Sequence, residues 1–152
     1  MATFQFGEEA FEGRRNQSHM SCAFDFDSTN RILRSRLAGQ VSDEEFIEFY
    51  RGISRRVIHL SPRAGIIDLS DVTSFDVSVQ VMGALATLPS VAQDPSFLRI
   101  VIAPSSETFA MMRMFGTAAG PAHPNVKVVQ KERDAWALLS VNAPRFDPLP
   151  TM

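Results

Sequence analysis

Three short apolar runs, each followed by a segment with helical periodicity, constrain the fold of this chain more than any other feature of its sequence. The runs are "AGIIDLS" from Ala64, "LRIVIA" from Leu98 and "NVKVV" from Asn125. Successive strand–helix units of this kind imply right-handed crossovers and neighbouring parallel strands. The pattern therefore predicts an α/β domain with a parallel sheet in its later part.

An antiparallel hairpin and a long helix are predicted ahead of these units. "CAFDFD" alternates, with Asp25 and Asp27 on the face opposite Phe24, and "RILRSRLAG" alternates again after the turn "STN". In "SDEEFIEFYRGISRRVIHL", Ser42 and Glu45 have the spacing of a capping box, and apolar residues recur at helical spacing. The order β-β-α-β-α-β-α-β-α predicts a mixed five-stranded sheet with four helices.

Two of the later helices are predicted to bury a single apolar stripe. The stripe of "DVSVQVMGALATL" consists of Val77, Val81, Leu85 and Leu88. In "ERDAWALLSV" the residues predicted to face inward are Ala135, Leu138 and Leu139. Both assignments follow from the helical period of the apolar residues.

One domain, residues 21–143, accounts for all of these elements. The chain has 152 residues and is 45% hydrophobic, which is typical of a single globular domain. Residues 1–20 are polar apart from three phenylalanines, which favours an arm that docks on the domain or on a second copy. Residues 144–152 contain three prolines and are predicted to form an extended tail.

Composition and charge argue against several classes of function. The net charge of −2 does not suit a nucleic-acid-binding protein, which usually has a basic surface. The sequence contains no secretory signal and no run of about 20 apolar residues of the kind that spans a membrane. Cys22 is the only cysteine, so we expect a cytoplasmic protein, with this thiol buried on the alternating face of a strand.

Catalytic and metal-binding motifs are missing from the sequence. The three histidines are far apart, and there is no HExxH, CxxC or GxSxG motif. Binding of Mg²⁺ by Asp68, Asp71 and Asp76 is chemically permitted but has no second supporting feature. We therefore predict no catalytic residue, no metal and no cofactor, and expect that the protein is not an enzyme.

The polar segment "DLSDVTSFDVS", residues 68–78, follows the apolar run from Ala64. Ligands and partners of α/β sheets meet the loops beyond the carboxyl ends of the strands, and a helix is predicted to begin at Asp76. The candidate partner-binding residues are Asp71, Ser74, Asp76 and Ser78. The alternative is that Ser74 or Asp76 serves only as the N-cap of this helix.

Two segments resemble the STAS domain, the fold of bacterial anti-sigma factor antagonists, and in particular a SpoIIAA-like group. They are "GIIDLSDVTSFDVSVQVMGAL" and "RIVIAPSSETFAMMRMFG", and the resemblance covers residues 21–142. It implies a regulatory domain whose protein partner contacts the loop after Asp68 and the following helix. In the antagonists a serine just after the aspartate is phosphorylated, whereas here Val77 follows Asp76. The resemblance therefore implies a contact surface without the usual phosphoserine switch.

The helix after "LRIVIA" carries two further candidate sites. Ser105 and Ser106 precede it and could hold an anion at its N-terminus, or they could only cap it. Its apolar residues extend beyond one stripe and include Phe109, Met112, Met114 and Phe115. These predict a dimer contact or a pocket for a small apolar or lipid-like ligand, and the alternative is a core helix. A carrier or sensor of such a ligand is the alternative function, because SpoIIAA-like proteins resemble lipid-binding folds.

Overall fold

A computed structural model describes residues 20–92, 94–120 and 125–150. Its elements in chain order are β1 (Ser21–Asp27), β2 (Ile32–Ser42), α1 (Asp43–Leu60), β3 (Ala64–Asp76), α2 (Val79–Ala86), β4 (Leu98–Ile102), α3 (Ser106–Ala119), β5 (Val126–Val129), α4 (Glu132–Leu139) and β6 (Asp147–Pro148). Apart from Met20, the predicted N-terminal arm lies outside the described residues. None of the described helices is both long and apolar enough to cross a membrane.

The six described strands form one mixed sheet with the order β5-β4-β3-β2-β1-β6. Strands β2 to β5 are parallel, and β1 runs antiparallel to β2 and β6. The predicted hairpin, the parallel later part and the four helices are confirmed. The sheet has six strands rather than five, because Asp147 and Pro148 of the tail pair with Phe26 and Asp25.

Both faces of the sheet are covered, but unequally. Helices α1, α2 and α3 pack on one face, in a core that includes Leu33, Ile67 and Val101. Helix α4 packs on the other face, over Ile32, Ile66 and Ile100. In α4, Ala135 and Leu139 are buried but Leu138 is 45% exposed. The inward assignment of Leu138 was wrong, because this single short helix turns only a narrow stripe toward the sheet.

The predicted capping box of α1 is confirmed. The Ser42 hydroxyl accepts a hydrogen bond from the Glu45 amide, and the Glu45 carboxylate accepts one from the Ser42 amide at 3.0 Å. The helix ends at Leu60, with Ser61 in the left-handed conformation as its C-cap. The two capping-box bonds at the N-terminus each satisfy a backbone donor that would otherwise lack a partner in the first turn.

Strand β3 is longer than its apolar run predicts. It continues through "SDVTSFD" to Asp76, because β2 also continues and supplies backbone partners from Ala38 to Ser42, across two register shifts. The ring of Phe75 is buried and meets Phe46 edge to face, with 5.2 Å between the ring centroids. The prediction of a loop after Leu69 was therefore wrong. Residues 38–42 and 71–76 form a two-stranded extension that we call the β2–β3 ribbon.

Candidate functional site

The β2–β3 ribbon carries three of the four predicted partner-binding residues. Asp71 and Asp76 are exposed and Ser74 is half-buried. The Ser74 hydroxyl donates to a carboxylate oxygen of Asp76 at 2.8 Å, so neither side chain caps a helix. The two aspartates keep their charge at the surface of the ribbon, where a partner could reach it.

Ser78, the fourth candidate, is the N-cap of α2. Its hydroxyl accepts a hydrogen bond from the Val81 amide at 3.2 Å, and its own amide donates to Asp43 at 2.6 Å. The cap therefore lies at Ser78 and not at Ser74 or Asp76, because the strand does not end before Asp76. Val77, which follows Asp76 where the antagonists have their phosphorylated serine, is buried at 5% exposure.

The outer surface of α2 is uncharged, and beside the exposed Gln80 it is apolar. Val79 is 67% exposed, Ala84 is exposed, and the space beside Gly83 is open within 4 Å. Leu88, predicted to face the core, is 46% exposed, because α2 ends at Ala86 before the stripe is complete. We call Val79, Gly83 and Ala84 the α2 face. The signal for it in the sequence was the uncharged run "VSVQVMGALATL".

Carboxylates lie beside the N-terminal end of the α2 face. Asp76 is the register partner of Ser42, and Ser78 bonds to Asp43, so the ribbon and the starts of α1 and α2 meet at one end of the molecule. Segments 37–46 and 69–88 contain no Lys, Arg or His, and their acidic residues are Asp43, Glu44, Glu45, Asp71 and Asp76. We call this region, together with the α2 face, the acidic end.

Ser105 and Ser106 lie at the start of α3. Ser105 is the N-cap, and its hydroxyl accepts from the Thr108 amide at 3.2 Å and lies 2.6 Å from the Thr108 hydroxyl. Ser106 is the exposed first residue of the helix. The capping role accounts for Ser105, and anion binding by this pair stays a prediction.

The four apolar residues of α3 do not share one surface. Met112 and Phe115 are buried in the core, at 3% and 7% exposure, whereas Met114 is 62% exposed. Phe109 is half-buried and lines a shallow groove beside β5 and α4. The helix is thus mainly a core helix. A dimer contact or a carrier of a small apolar ligand stays a prediction.

Metal ligands do not cluster in the described part of the chain, where no three His, Cys, Asp or Glu side chains come together in a suitable way. Asp68 and Asp76 are separated by eight residues of one strand, roughly 26 Å at about 3.3 Å per residue. Asp68 instead accepts hydrogen bonds from the amide and hydroxyl of Ser70, at 2.9 and 2.5 Å. His19 and His123 lie outside the described residues, and His59 is in the last turn of α1.

Two aspartates of β1, Asp25 and Asp27, are buried, and their burial was not predicted from the sequence. Asp25 is 3% exposed and accepts hydrogen bonds from Arg34 at 2.7 and 2.9 Å and from Arg36 at 3.1 Å. These bonds raise the pKa of Arg34. The ring of Phe146 lies over the Arg34 guanidinium at 4.0 Å. Alternation alone could not show that the tail would cover this face.

Asp27 is the second such carboxylate, at 1% exposure. Burial raises its pKa, but hydrogen bonds from Asn30 and from the Arg145 amide outweigh burial, so the pKa lies below its ordinary value. The Asn30 amide and side chain donate at 2.9 and 2.8 Å, and the Arg145 amide donates at 3.0 Å. A buried anion with this many donors is stabilised in its charged form.

Solved structures with a similar fold include anti-sigma factor antagonists. An anti-sigma factor antagonist from Mycobacterium paratuberculosis matches with a TM-score of 0.51 and 16% identity, over 80% of this chain and 95% of that one. SpoIIAA from Bacillus, a cell fate determinant solved in its phosphorylated form, has a TM-score of 0.49 and 16% identity, over 76% and 99% of the two chains. No protein-family model and no curated protein sequence matches. The chain therefore has the STAS, or SpoIIAA-like, fold.

Proposed function

We propose that this chain is a non-catalytic regulatory domain that binds a protein partner through the acidic end. The observation that carries the proposal is the α2 face, an uncharged apolar surface with Val79 67% exposed and with carboxylates beside its N-terminal end. Apolar centres with polar rims are typical of protein interfaces. The likeness in fold to an anti-sigma factor antagonist supports the same class of function.

The charge of the acidic end defines the partner. Asp71 and Asp76 are exposed on the ribbon, and no Lys, Arg or His occurs in segments 37–46 and 69–88. A partner surface rich in Lys and Arg would be attracted over a distance of about 10 Å at moderate salt. Apolar side chains of the partner would then pack on Val79 and beside Gly83, where the space is open.

Binding in this proposal does not use a phosphoserine switch. Val77 carries no hydroxyl, and the Ser78 hydroxyl is engaged with the Val81 amide. A phosphate on Ser78 would gain from the α2 N-terminus. It would also lie near Asp43, which accepts from the Ser78 amide at 2.6 Å, and near Asp76. Repulsion between these like charges opposes the modification.

A pair of matched variants tests the proposed surface. Val79→Arg places a bulky cation on the α2 face, and Ile58→Arg places one on α1, where Ile58 is also 67% exposed but outside the acidic end. A partner captured from cells that express the chain would be identified by mass spectrometry, purified and titrated by calorimetry. We expect Val79→Arg to weaken binding at least about tenfold, or about 1.4 kcal/mol, and Ile58→Arg to leave it unchanged.

Equal binding of both variants would overturn the location of the interface. Failure to find any partner at micromolar concentration would overturn the function itself. Peptide mapping of protein purified from its native cells tests the absence of a switch. We expect the peptide that contains residues 68–88 to carry no phosphate, and a phosphorylated Ser78 would contradict this.

A further inference from the structure

A cleft of about 330 Å³ lies between β1, α1 and the tail. Its apolar lining includes Met20, Phe49 and Leu149, and its charged lining includes three arginines, Arg36, Arg55 and Arg56. It adjoins the acidic end, because the Met20 amide donates to a Glu45 carboxylate oxygen at 3.3 Å, but its arginines lie on β2 and in the second half of α1. We call it the Arg56 cleft.

Arg56 is a buried cation that has no charged partner among the described residues. The residue is 4% exposed, and its guanidinium carbon lies 3.7 Å from the centroid of the Phe24 ring. Its terminal nitrogens donate to the carbonyls of Gly52 at 3.2 Å and Pro150 at 3.3 Å. Among the described buried side-chain nitrogen and oxygen atoms, its Nε is the one without a hydrogen-bond partner.

Burying this charge without an anion is unfavourable. Removal of a guanidinium from water is costly unless a charged, hydrogen-bonding partner replaces the water. Burial lowers the pKa of Arg56, and the nearby charge of Arg55 lowers it further. A guanidinium has five N–H donors, of which two carbonyl bonds use only two. Three N–H donors of Arg56 therefore have no hydrogen-bond partner among the described residues.

The rest of the lining adds positive charge. Among the described residues that line the cleft, Glu48 is the only acidic one, and its carboxylate is paired with Arg51 at 2.6 Å. Arg36 shares Asp25 with Arg34. Arg55 forms no ion pair with a described residue. The cleft is thus a local excess of cations on a chain whose net charge is −2.

We propose that the Arg56 cleft binds a small organic anion, with a carboxylate or phosphate group on the guanidinium of Arg56 and a short apolar body against Met20, Phe49 and Leu149. Planar guanidinium groups bind carboxylates and phosphates with two parallel hydrogen bonds. The apolar lining provides burial for a short chain or ring, and the modest volume limits the ligand to a small molecule.

Nuclear magnetic resonance of the arginine Nε–H groups in the full chain tests this inference directly. Hexanoate is the probe for a carboxylate, phenyl phosphate is the probe for a phosphate, and hexanamide is the uncharged match of hexanoate. We expect at least one of the two anions to shift the Arg56 Nε–H signal saturably. Binding of hexanamide should be at least about tenfold weaker, because it lacks the charge–charge contact.

Substitutions at Cys22 provide a matched pair that keeps Arg56 in place. Cys22 is exposed and lines the cleft, and its thiol lies close enough to Arg56 for their charges to interact. Cys22→Asp supplies a carboxylate from the chain itself and should weaken anion binding about tenfold or more. Cys22→Asn has nearly the same shape without the charge and should bind like the unmodified chain.

Two charge-removing variants complete the test. Arg55→Gln should weaken binding by a few-fold, and Arg133→Gln, on α4 away from the cleft, should leave it unchanged. Failure of both anions to give a saturable shift would overturn the proposal, and so would hexanamide that binds as tightly as a hexanoate that does bind. Equal anion affinity of Cys22→Asp and Cys22→Asn would also overturn it, because the site would then lie elsewhere.

Discussion

The two ends of α1 lie in regions of opposite charge. At its N-terminus, in the acidic end, several polar groups have partners from the chain, as in the bond from the Ser78 amide to Asp43 and the pair Ser74–Asp76. Toward its C-terminus, Arg56 is buried with two neutral carbonyls and an unpaired Nε. The first region keeps its carboxylates at or near the surface, whereas the second buries a cation that has no countercharge among the described residues.

The same contrast exists among the buried charges. Asp25 and Asp27 are buried with several donors each, and Arg56 is buried with no anion. Burial of a charged side chain therefore does not by itself indicate a ligand-binding site. The absence of a charged partner is the feature that separates the Arg56 cleft from the structural centres on β1.

The largest effect is expected where the ribbon is anchored to the core. Phe75→Ala removes a ring that is 4% exposed and packs against Phe46. We expect a loss of about 3–5 kcal/mol in the free energy of unfolding, as for other buried aromatic residues. Thr73→Ala, at an exposed position of the same ribbon, is the control and should change stability little. Urea denaturation measures both, and a small effect of Phe75→Ala would show that the ribbon is not part of the core.

The next largest effect on stability is expected at a buried carboxylate that is paired with arginines. Asp25→Asn leaves Arg34 and Arg36 without their shared carboxylate. We expect a loss of about 2–3 kcal/mol in the free energy of unfolding, because hydrogen bonds to charged groups are lost and Arg34 is largely buried. Thermal unfolding followed by circular dichroism measures it. Unchanged stability would mean that Asp25 is no better compensated than Arg56.

The cap of α2 gives a smaller effect. Ser78→Ala removes the acceptor of the Val81 amide and should cost about 1 kcal/mol. Ser74→Ala, which removes only a bond to exposed Asp76, serves as the matched control and should cost less. Hydrogen exchange at Val81 localises the change. Equal losses in the two variants would contradict the assignment of Ser78 as the N-cap.

Asp27 links stability to pH. Its pKa in the folded chain lies below the ordinary value of 3.8, so folding favours the charged form. The stabilisation is present above the unfolded pKa and is lost as the pH falls through the folded pKa. We expect Asp27→Asn to flatten the decline in melting temperature below about pH 4. A decline as steep as that of the unmodified chain would assign the acid sensitivity to other carboxylates.

The smallest effect on stability is expected at Arg56. Arg56→Met keeps a long side chain over the Phe24 ring and removes a charge that has no anion. We expect the free energy of unfolding to change by no more than about 1 kcal/mol, because the lost cation–π contact and the avoided burial of charge oppose each other. Chemical denaturation beside Asp25→Asn gives the comparison. A loss as large as that of Asp25→Asn would make Arg56 a structural residue.

The acidic end could be located from the sequence, but its shape could not. The position of "DLSDVTSFDVS" after an apolar run placed Asp71, Ser74, Asp76 and Ser78 at one edge of the sheet. The ribbon depends on hydrogen bonds between β2 and β3, and such non-local pairing has no signature in either segment alone. The cap therefore moved to Ser78.

The Arg56 cleft was not foreseen at all. Arg55 and Arg56 lie near the C-terminus of α1, where cations interact favourably with the helix dipole, so their positions in the sequence did not indicate a site. Cys22, expected to be buried, is exposed, because β6 pairs with Asp25 and Phe26 and does not extend along β1 as far as Cys22. Only the tail and β1, which are remote from α1 in sequence, turn Arg56 into a buried group that lines a cleft.

The sequence by itself determined the order of strands and helices, the hairpin, the capped first helix and the class of fold. These features depend on local periodicity and on short-range capping bonds, which neighbouring residues decide. The tertiary structure alone decided the length of β3, the burial of Asp25 and Asp27, the division of the α3 residues between core and surface, and the unpaired state of Arg56. Each of these depends on which distant segment covers a given side chain, and burial and hydrogen-bond partners exist only once those segments have packed together.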